Sequence, residues 1–256
     1  MKKFLLLPFC LLLTTAFTET TQIKVMTYNI RHACGMDNKV NIERIINVIK
    51  GENPDILILN EVDEGIIRSG YIPEAKKISE ALNMDFFFFP TEGRKDYGNA
   101  VLSKHPIVEK KGFNLPQPKW MNAMQRGCAS IIITINGKKV NIMGVHLGLG
   151  GIQEIETELG KVLSYYNEKG IPGIVAGDFN IEYPDLKYGN TAEFFKNFDV
   201  SNKLAGKDLY TFPSDRPGSQ IDYICISHEF KVIDTYTVNS SASDHLPVVA
   251  ILEMNI

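Results

Sequence analysis

Ile174-Val175-Ala176-Gly177-Asp178-Phe179-Asn180 is an apolar run that stops abruptly at residues suited to metal or phosphate. The same syntax recurs along the chain. Lys24–Tyr28 ends in Asn29, Ile56–Leu59 ends in Asn60-Glu61, and Val140–Val145 ends in His146. Two late runs invert the order: Asp222 opens Asp222–Ile226, and Asp244-His245 opens Leu246–Leu252. If the late strands run antiparallel to the early ones, their beginnings lie beside the early strands' ends, and all these polar groups meet at one rim. A single Asp or Asn at a strand end is usually a turn residue. Repetition on every strand of one rim weakens that bland reading. Crowded carboxylates repel one another unless a cation offsets them. An oxygen-rich site favours Mg²⁺ or Mn²⁺, with Ca²⁺ also compatible, and the cysteines and histidines show no zinc spacing.

Working outward, short β-like runs alternate with amphipathic helices. Asn41 caps a helix whose Ile42, Ile45, Ile46 and Ile49 fall at helical spacing, and a second helix is expected over Glu74–Leu82. A third carries Ile152, Ile155, Leu159, Val162, Leu163 and Tyr166. The middle of the chain reads as strands with little helix between them, and Asn136-Gly137 signals a hairpin. Helices in some gaps and hairpins in others give the expected fold: a four-layer α/β/β/α sandwich of two packed mixed β-sheets flanked by helices. The 256 residues, 44% hydrophobic, suit one large core.

The N-terminus stands apart. Lys2 and Lys3 precede the apolar run Phe4–Leu13, and small or polar residues follow, which is the order of a secretory signal peptide over residues 1–18. A lipoprotein reading at Cys10 is disfavoured, because more leucines follow it. The expected catalytic domain is 22–256, exported to the periplasm, the cell surface or the medium. Losing the leader removes two lysines and no acid, so a formal charge of −3 becomes −5. A mildly acidic protein is poorly suited to coating nucleic acid. No stretch of the body is long and apolar enough to span a bilayer. Cys34, Cys128 and Cys225 allow at most one disulfide, and the last two read as buried thiols.

The set Met26–Ile30, Leu59–Asp63, Tyr97–Ser103, Val145–Leu147, Gly177–Asn180, Ile221–Ile224 and Ser243–Val248 resembles the endonuclease/exonuclease/phosphatase family, the fold of pancreatic deoxyribonuclease. The matches run in the family's order over nearly the whole mature chain. Any one motif is weak, and the ordered set is specific. The resemblance implies Glu61 as the principal metal carboxylate, with Asn29 beside it and Asp244 in support. It implies that Asp178 and Asn180 position the attacking water and the phosphate. His245 would act at the phosphate, paired with Asp222, which fixes its tautomer and raises its basicity. His146 and Arg126 would hold phosphate oxygens, Arg126 resting on its place at the start of a middle strand alone. Asn60 stands where family members commonly have Gln.

Substrate is less legible. Arg31-His32 and the Cys34-Gly35 segment follow Asn29 and are placed to touch substrate. The Asn114–Gln125 loop carries Pro116, Pro118, Trp120, Met121 and Met124 and could overhang the site. His105 and His228 read as turn residues. Acidity and the lack of a basic insertion favour a monomeric phosphoesterase acting on a small or lipid-linked ester. The alternatives are a secreted nuclease acting on DNA or RNA, and a non-catalytic binding module.

Overall fold

Side chains alternate faces along a strand, and β1 (Thr20–Asn29) shows the alternation feeding two different cores. Ile23 and Val25 enter a central cluster, whereas Met26 and Tyr28 enter a second cluster with Ile42, Ile45, Ile46 and Ile49. The computed structural model describes residues 20–91, 94–117, 124–183 and 191–255. The proposed leader, and Pro118, Trp120 and Met121 of the proposed overhanging loop, lie outside these.

Six strands make the first sheet: β1, β2 (Ile56–Asp63), β3 (Asp85–Pro90), β4 (Tyr97–Ser103), β11 (Phe230–Thr237) and β12 (Val248–Asn255), in the order β11-β12-β1-β2-β4-β3. The second comprises β5 (Ile107–Asn114), β6 (Gly127–Ile135), β7 (Lys138–His146), β8 (Gly173–Asp178), β9 (Phe198–Val200) and β10 (Asp222–Ser227), in the order β5-β6-β7-β8-β10-β9. β1 and β2 pair in parallel, as do β7 and β8, while β12 runs antiparallel to β1 and β10 to β8. Both sheets are therefore mixed, and the late strands are reversed as the rim reading requires.

The central cluster lies between the sheets, joining Ile56, Ile58 and Val101 of one to Ile131, Ile142, Ile174 and Ile224 of the other. Helices α1 (Ile42–Glu52) and α2 (Glu74–Leu82) cover the outer face of the first sheet. Helix α3 (Ile152–Lys169) covers the second through Ile155, Leu159 and Val162. The expected four layers are present. Local chemistry agrees: the Asn41 side chain accepts from Glu43 N at 3.1 Å, a cap contributing about 1 kcal/mol. Asn136 (φ 46°) and Gly137 (φ 83°) take the left-handed conformations of a tight hairpin turn between β6 and β7.

Some boundaries differ from the sequence reading. β2 runs past Leu59 to Asp63. The last strand starts at Val248 rather than Leu246, because Leu246 N donates to Thr211 O in a neighbouring loop at 2.7 Å. β9 and the one-turn helices Thr191–Phe194 and Ser201–Leu204 are too short to show a period. The three cysteines are free and buried. Among the described residues no helix is long and apolar enough to cross a membrane.

Candidate active site

Strand alternation builds most of the site. The inner-face positions that hold Ile23 and Val25, Ile56 and Ile58, or Ile174 and Ala176 continue with the same parity to Asn29, Asn60 and Asp178. By the same count Asn99, His146 and Asp222 succeed Val101, Ile142 and Ile224 toward the rim. Register then sets neighbours. Asp222 lies opposite Asp178, His146 beside Asp178, and Asn29 beside Asn60.

Glu61 breaks the rule. Leu57 and Leu59 face the outer core, and strict alternation would send Glu61 there too. Instead the β2–β4 register shifts between Leu59 and Val62, and Glu61 takes φ 56°. This bulge turns its carboxylate to the cleft, where Oε1 accepts from Asn29 Nδ2 at 3.1 Å. Gly177 is required for a related reason. At φ 144°, an added Cβ would lie 1.8 Å from Val145 O.

Asn60, wholly buried, ties the sheets together. Its Nδ2 donates to Asn99 Oδ1 (2.9 Å) and to Val145 O (2.8 Å), and its Oδ1 accepts from Asp178 N (3.0 Å). Asn99 Nδ2 adds a bond to Gly127 O at 2.8 Å. Asn29 Nδ2 reaches across to Asp178 Oδ2 at 3.0 Å, and Asn180 N donates to Asp178 Oδ1 at 2.9 Å. Asn180 Nδ2 donates to Leu147 O at 2.9 Å.

The His245 Nδ1–Asp222 Oδ2 pair is 2.8 Å apart, and His245 Nε2 lies 3.7 Å from Asp178 Oδ2. Phe212 backs the imidazole, with ring centroids 4.9 Å apart. Burial alone would lower the His245 pKa, but the carboxylates of Asp222, Asp178 and Asp244 reverse that and raise it to about 10. Burial, reinforced by Asp222, pushes the Asp178 carboxyl up to about 7, against the pull of His245 and Asn29. His146 Nε2 lies 3.6 Å from Asp178 Oδ2, yet burial, with Arg126 and His245 nearby, holds the ring well below its usual pKa and hence neutral.

A cleft of about 490 Å³ opens on this rim. Glu61, Arg126, His146, Asp178, Asn180, Asp244 and His245 line it, and Asn29 and Asp222 sit directly behind. Arg126 is buried rather than a surface arginine, and no carboxylate pairs with it among the described residues. Arg31 is not among the lining residues: its Nε lies 3.4 Å from Asp244 Oδ2. Left-handed φ values at Arg31, His32 and Ala33 turn the chain aside there. Met124 is the part of the proposed overhanging loop that reaches the cleft. Sequence reading assigned no role to Arg68, Arg94 or Phe212, which also line it. Each sits outside the repeated strand-end pattern and carries no local signal.

Asp178, Asp222 and His245 bring ligand-type atoms within 4.8 Å of one another. With Nδ1 already bonded to Asp222, this group is a carboxylate–imidazole pair facing a second carboxylate. On the other side, the Glu61 carboxylate has one hydrogen bond, from Asn29, and faces the cleft. Glu61 and Asp244 offer carboxylate oxygens, which fit a hard divalent cation, while Asn29 turns its amide N–H groups to Glu61 and Asp178 and its Oδ1 accepts from Arg31 N at 3.1 Å.

Two mixed six-stranded sheets with an acid- and histidine-rich shared rim define the deoxyribonuclease-I-like class, whose members are generally phosphoester hydrolases. This chain belongs to the Endonuclease/Exonuclease/phosphatase family, whose pattern matches residues 26–245. Among solved structures it resembles an endonuclease/exonuclease/phosphatase family protein from Bacteroides thetaiotaomicron, with TM-score 0.77 and 22% identity over 93% of this chain and 100% of that one. The mannosyl-6-phosphatase of Bacteroides thetaiotaomicron VPI-5482 gives TM-score 0.75 and 22% identity over 90% and 99%. Truncated TDP2 from Caenorhabditis elegans gives 0.69 and 18% over 90% and 97%. No curated protein matches by sequence.

Proposed function

We propose that the protein is an exported, divalent-metal-dependent phosphoesterase that hydrolyses a small phosphate ester by in-line attack of water. One arrangement carries this reading: the Asp222-held His245 faces Asp178 at 3.7 Å, in a cleft that also holds the guanidinium of Arg126, which has no carboxylate partner among the described residues. Arg126 and the neutral His146 hold non-bridging phosphate oxygens, which offsets charge that would repel a nucleophile. Asp178, held by Asn29 and by the backbone of Asn180, accepts a proton from the attacking water. Burial and Asp222 raise its pKa above the usual carboxylate range, which makes it a stronger base than a free carboxylate. Asn180 borders the same space and orients that water. His245, kept cationic by Asp222, donates from Nε2 to a phosphate oxygen as charge develops. Glu61 and Asp244 would hold Mg²⁺ or Mn²⁺, with Asn29 steadying the Glu61 carboxylate, and the ion when bound neutralises phosphate charge and stabilises the leaving oxygen.

The negative charge of the chain and the cleft's modest volume support a small ester over a polymer. The test is hydrolysis by the leader-free protein, with Mg²⁺, Mn²⁺ or EDTA, of p-nitrophenyl phosphate, bis-p-nitrophenyl phosphate, inositol phosphates, sphingomyelin, plasmid DNA and RNA. Cation-dependent release from small esters, lost in Asp178→Ala, is expected. Cleavage of nucleic acid alone would replace this reading with a nuclease, and no cleavage at all with a binding module. N-terminal sequencing of exported protein is expected to place the first residue between 17 and 19.

A further inference from the structure

Three guanidiniums line the cleft, and the scissile phosphate accounts for one of them, Arg126. The other two gather around a single ring. Arg68 lies 5.3 Å and Arg94 4.8 Å from the centroid of Tyr97, itself nearly buried in the cleft wall. Arg68 is anchored from beneath. Wholly buried Asp63 takes Arg68 Nε at 2.8 Å and Nη2 at 2.7 Å, and Asp63 N donates to Glu74 Oε2 at 2.8 Å. Nη1 takes no part in that pair. A flexible arginine thereby becomes a fixed one at the mouth of the site. Arg94 pairs with no carboxylate among the described residues.

The charges around the cleft sort themselves accordingly. Arg31 offsets Asp244, Asp222 offsets His245, and Asp63 offsets Arg68. Among the described residues Arg94 makes no ion pair beside the fixed Arg68, while Arg126 is assigned to the reacting phosphate and Glu61 to the metal by the reading above. Among the described residues, a singly charged ester held at Arg126 leaves Arg94 with no anionic partner.

We propose that Arg68 and Arg94, stacked on Tyr97, form a subsite for a second anionic group, and that the substrate is a small ester carrying two phosphates. The proposal rests on the phosphoesterase reading above and extends it to a substrate class. Arg94 supplies the charge, and Arg68 supplies a pre-set donor. Tyr97 gives both guanidiniums one ring to pack on.

The test compares phosphate release by the mature protein, with Mg²⁺ or Mn²⁺, from fructose 1,6-bisphosphate and from fructose 1-phosphate and fructose 6-phosphate. The expected kcat/KM ratio favours the bisphosphate about tenfold, the scale of one charged hydrogen bond. In Arg94→Gln the ratio collapses toward one, mainly through KM. A wild-type ratio near one, or a ratio that survives in Arg94→Gln, overturns the subsite. Arg94→Gln is chosen because Arg68→Gln would strand the buried Asp63. Binding is read separately in Asp178→Ala protein as the rise in Tm with each sugar phosphate. A larger rise with the bisphosphate, lost when Arg94→Gln is added, supports the subsite even if nothing is hydrolysed and the phosphoesterase reading has failed. Equal rises overturn it. A gain for a 5′-phosphorylated oligonucleotide exceeding that for the bisphosphate overturns the small-ester assignment.

Discussion

Asn60→Ala should separate the role of the inter-sheet tie from that of the reacting groups. Asn60 touches no cleft space, yet its side chain makes three bonds, to Asn99 Oδ1, Val145 O and Asp178 N. Alanine leaves all three partners buried between the sheets. An unsatisfied buried polar group costs about 1–3 kcal/mol, and a water entering the vacated space recovers part of that. The expected loss is therefore about 3–6 kcal/mol, or a fall of roughly 10–20 °C in Tm for a domain of this size. Urea unfolding followed by tryptophan fluorescence and circular dichroism measures it, with an unchanged m-value indicating that the compactness of both states is preserved. Activity should fall as well, because Asn60 Oδ1 holds the backbone N–H of Asp178 itself. A loss below about 1 kcal/mol with normal turnover would refute the tie and leave backbone register alone to place Asp178.

Metal-free protein should melt lower at pH 9 than at pH 6.5. Burial pushes Glu74 and Glu158 up to about 8, so both shed in the folded state protons that the unfolded chain has already released. His245, raised to about 10, adds stability that is full below its unfolded pKa and lost as pH rises through the folded one. His146, held neutral, opposes these groups only below its unfolded value, outside this window. A Tm flat or rising across the window, measured in EDTA, would count against these assignments. Asp222→Asn removes the charge that keeps His245 cationic: kcat should drop about a hundredfold and the alkaline limb of the pH–rate profile should move to lower pH. An unaltered profile would show that His245 acts without its partner. Glu61→Ala should keep the fold and lose the rise in Tm that Mg²⁺ or Mn²⁺ gives the wild type. A full cation response in that variant would move the metal away from Glu61.

Much of the rim was legible because an apolar run ending in a polar residue leaves a mark in sequence whenever a strand reaches the edge of a sheet. Asn29, His146 and Asp178 carry that mark, and Asp222 and His245 carry its mirror image. Arg31 follows Asn29 in sequence, but three successive left-handed residues place its guanidinium against Asp244 at the edge of the cleft, a turn that no local pattern states. Arg68 and Arg94 left no mark, because what fixes them is tertiary, a buried Asp63 and the ring of Tyr97. In the sequence Asn60 stands out only as the residue before Glu61 where family members commonly have Gln. Its bonds to the opposite sheet depend on how the two sheets pack, which no local pattern states.

The central core and the site are products of one periodicity, so the packing that fixes one also places the other. The inner-face parity that buries Ile58, Ile142, Ile174 and Ile224 delivers Asn60, His146, Asp178 and Asp222 to the rim, so shifting any of these strands by one residue would empty core and cleft together. Glu61 is the exception, and there the chain accepts a register break and a positive φ. A carboxylate at this place cannot come from regular alternation, since the inner position before it is taken by Asn60. The bulge resolves the conflict: Asn60 keeps the sheets together, and the next residue turns back to the same space. Register also shifts at Val232/Asp234 and Ile107/Glu109, away from the rim, but Glu61 is where a break coincides with a positive φ and a side chain lining the cleft, and this points to function outweighing regularity there.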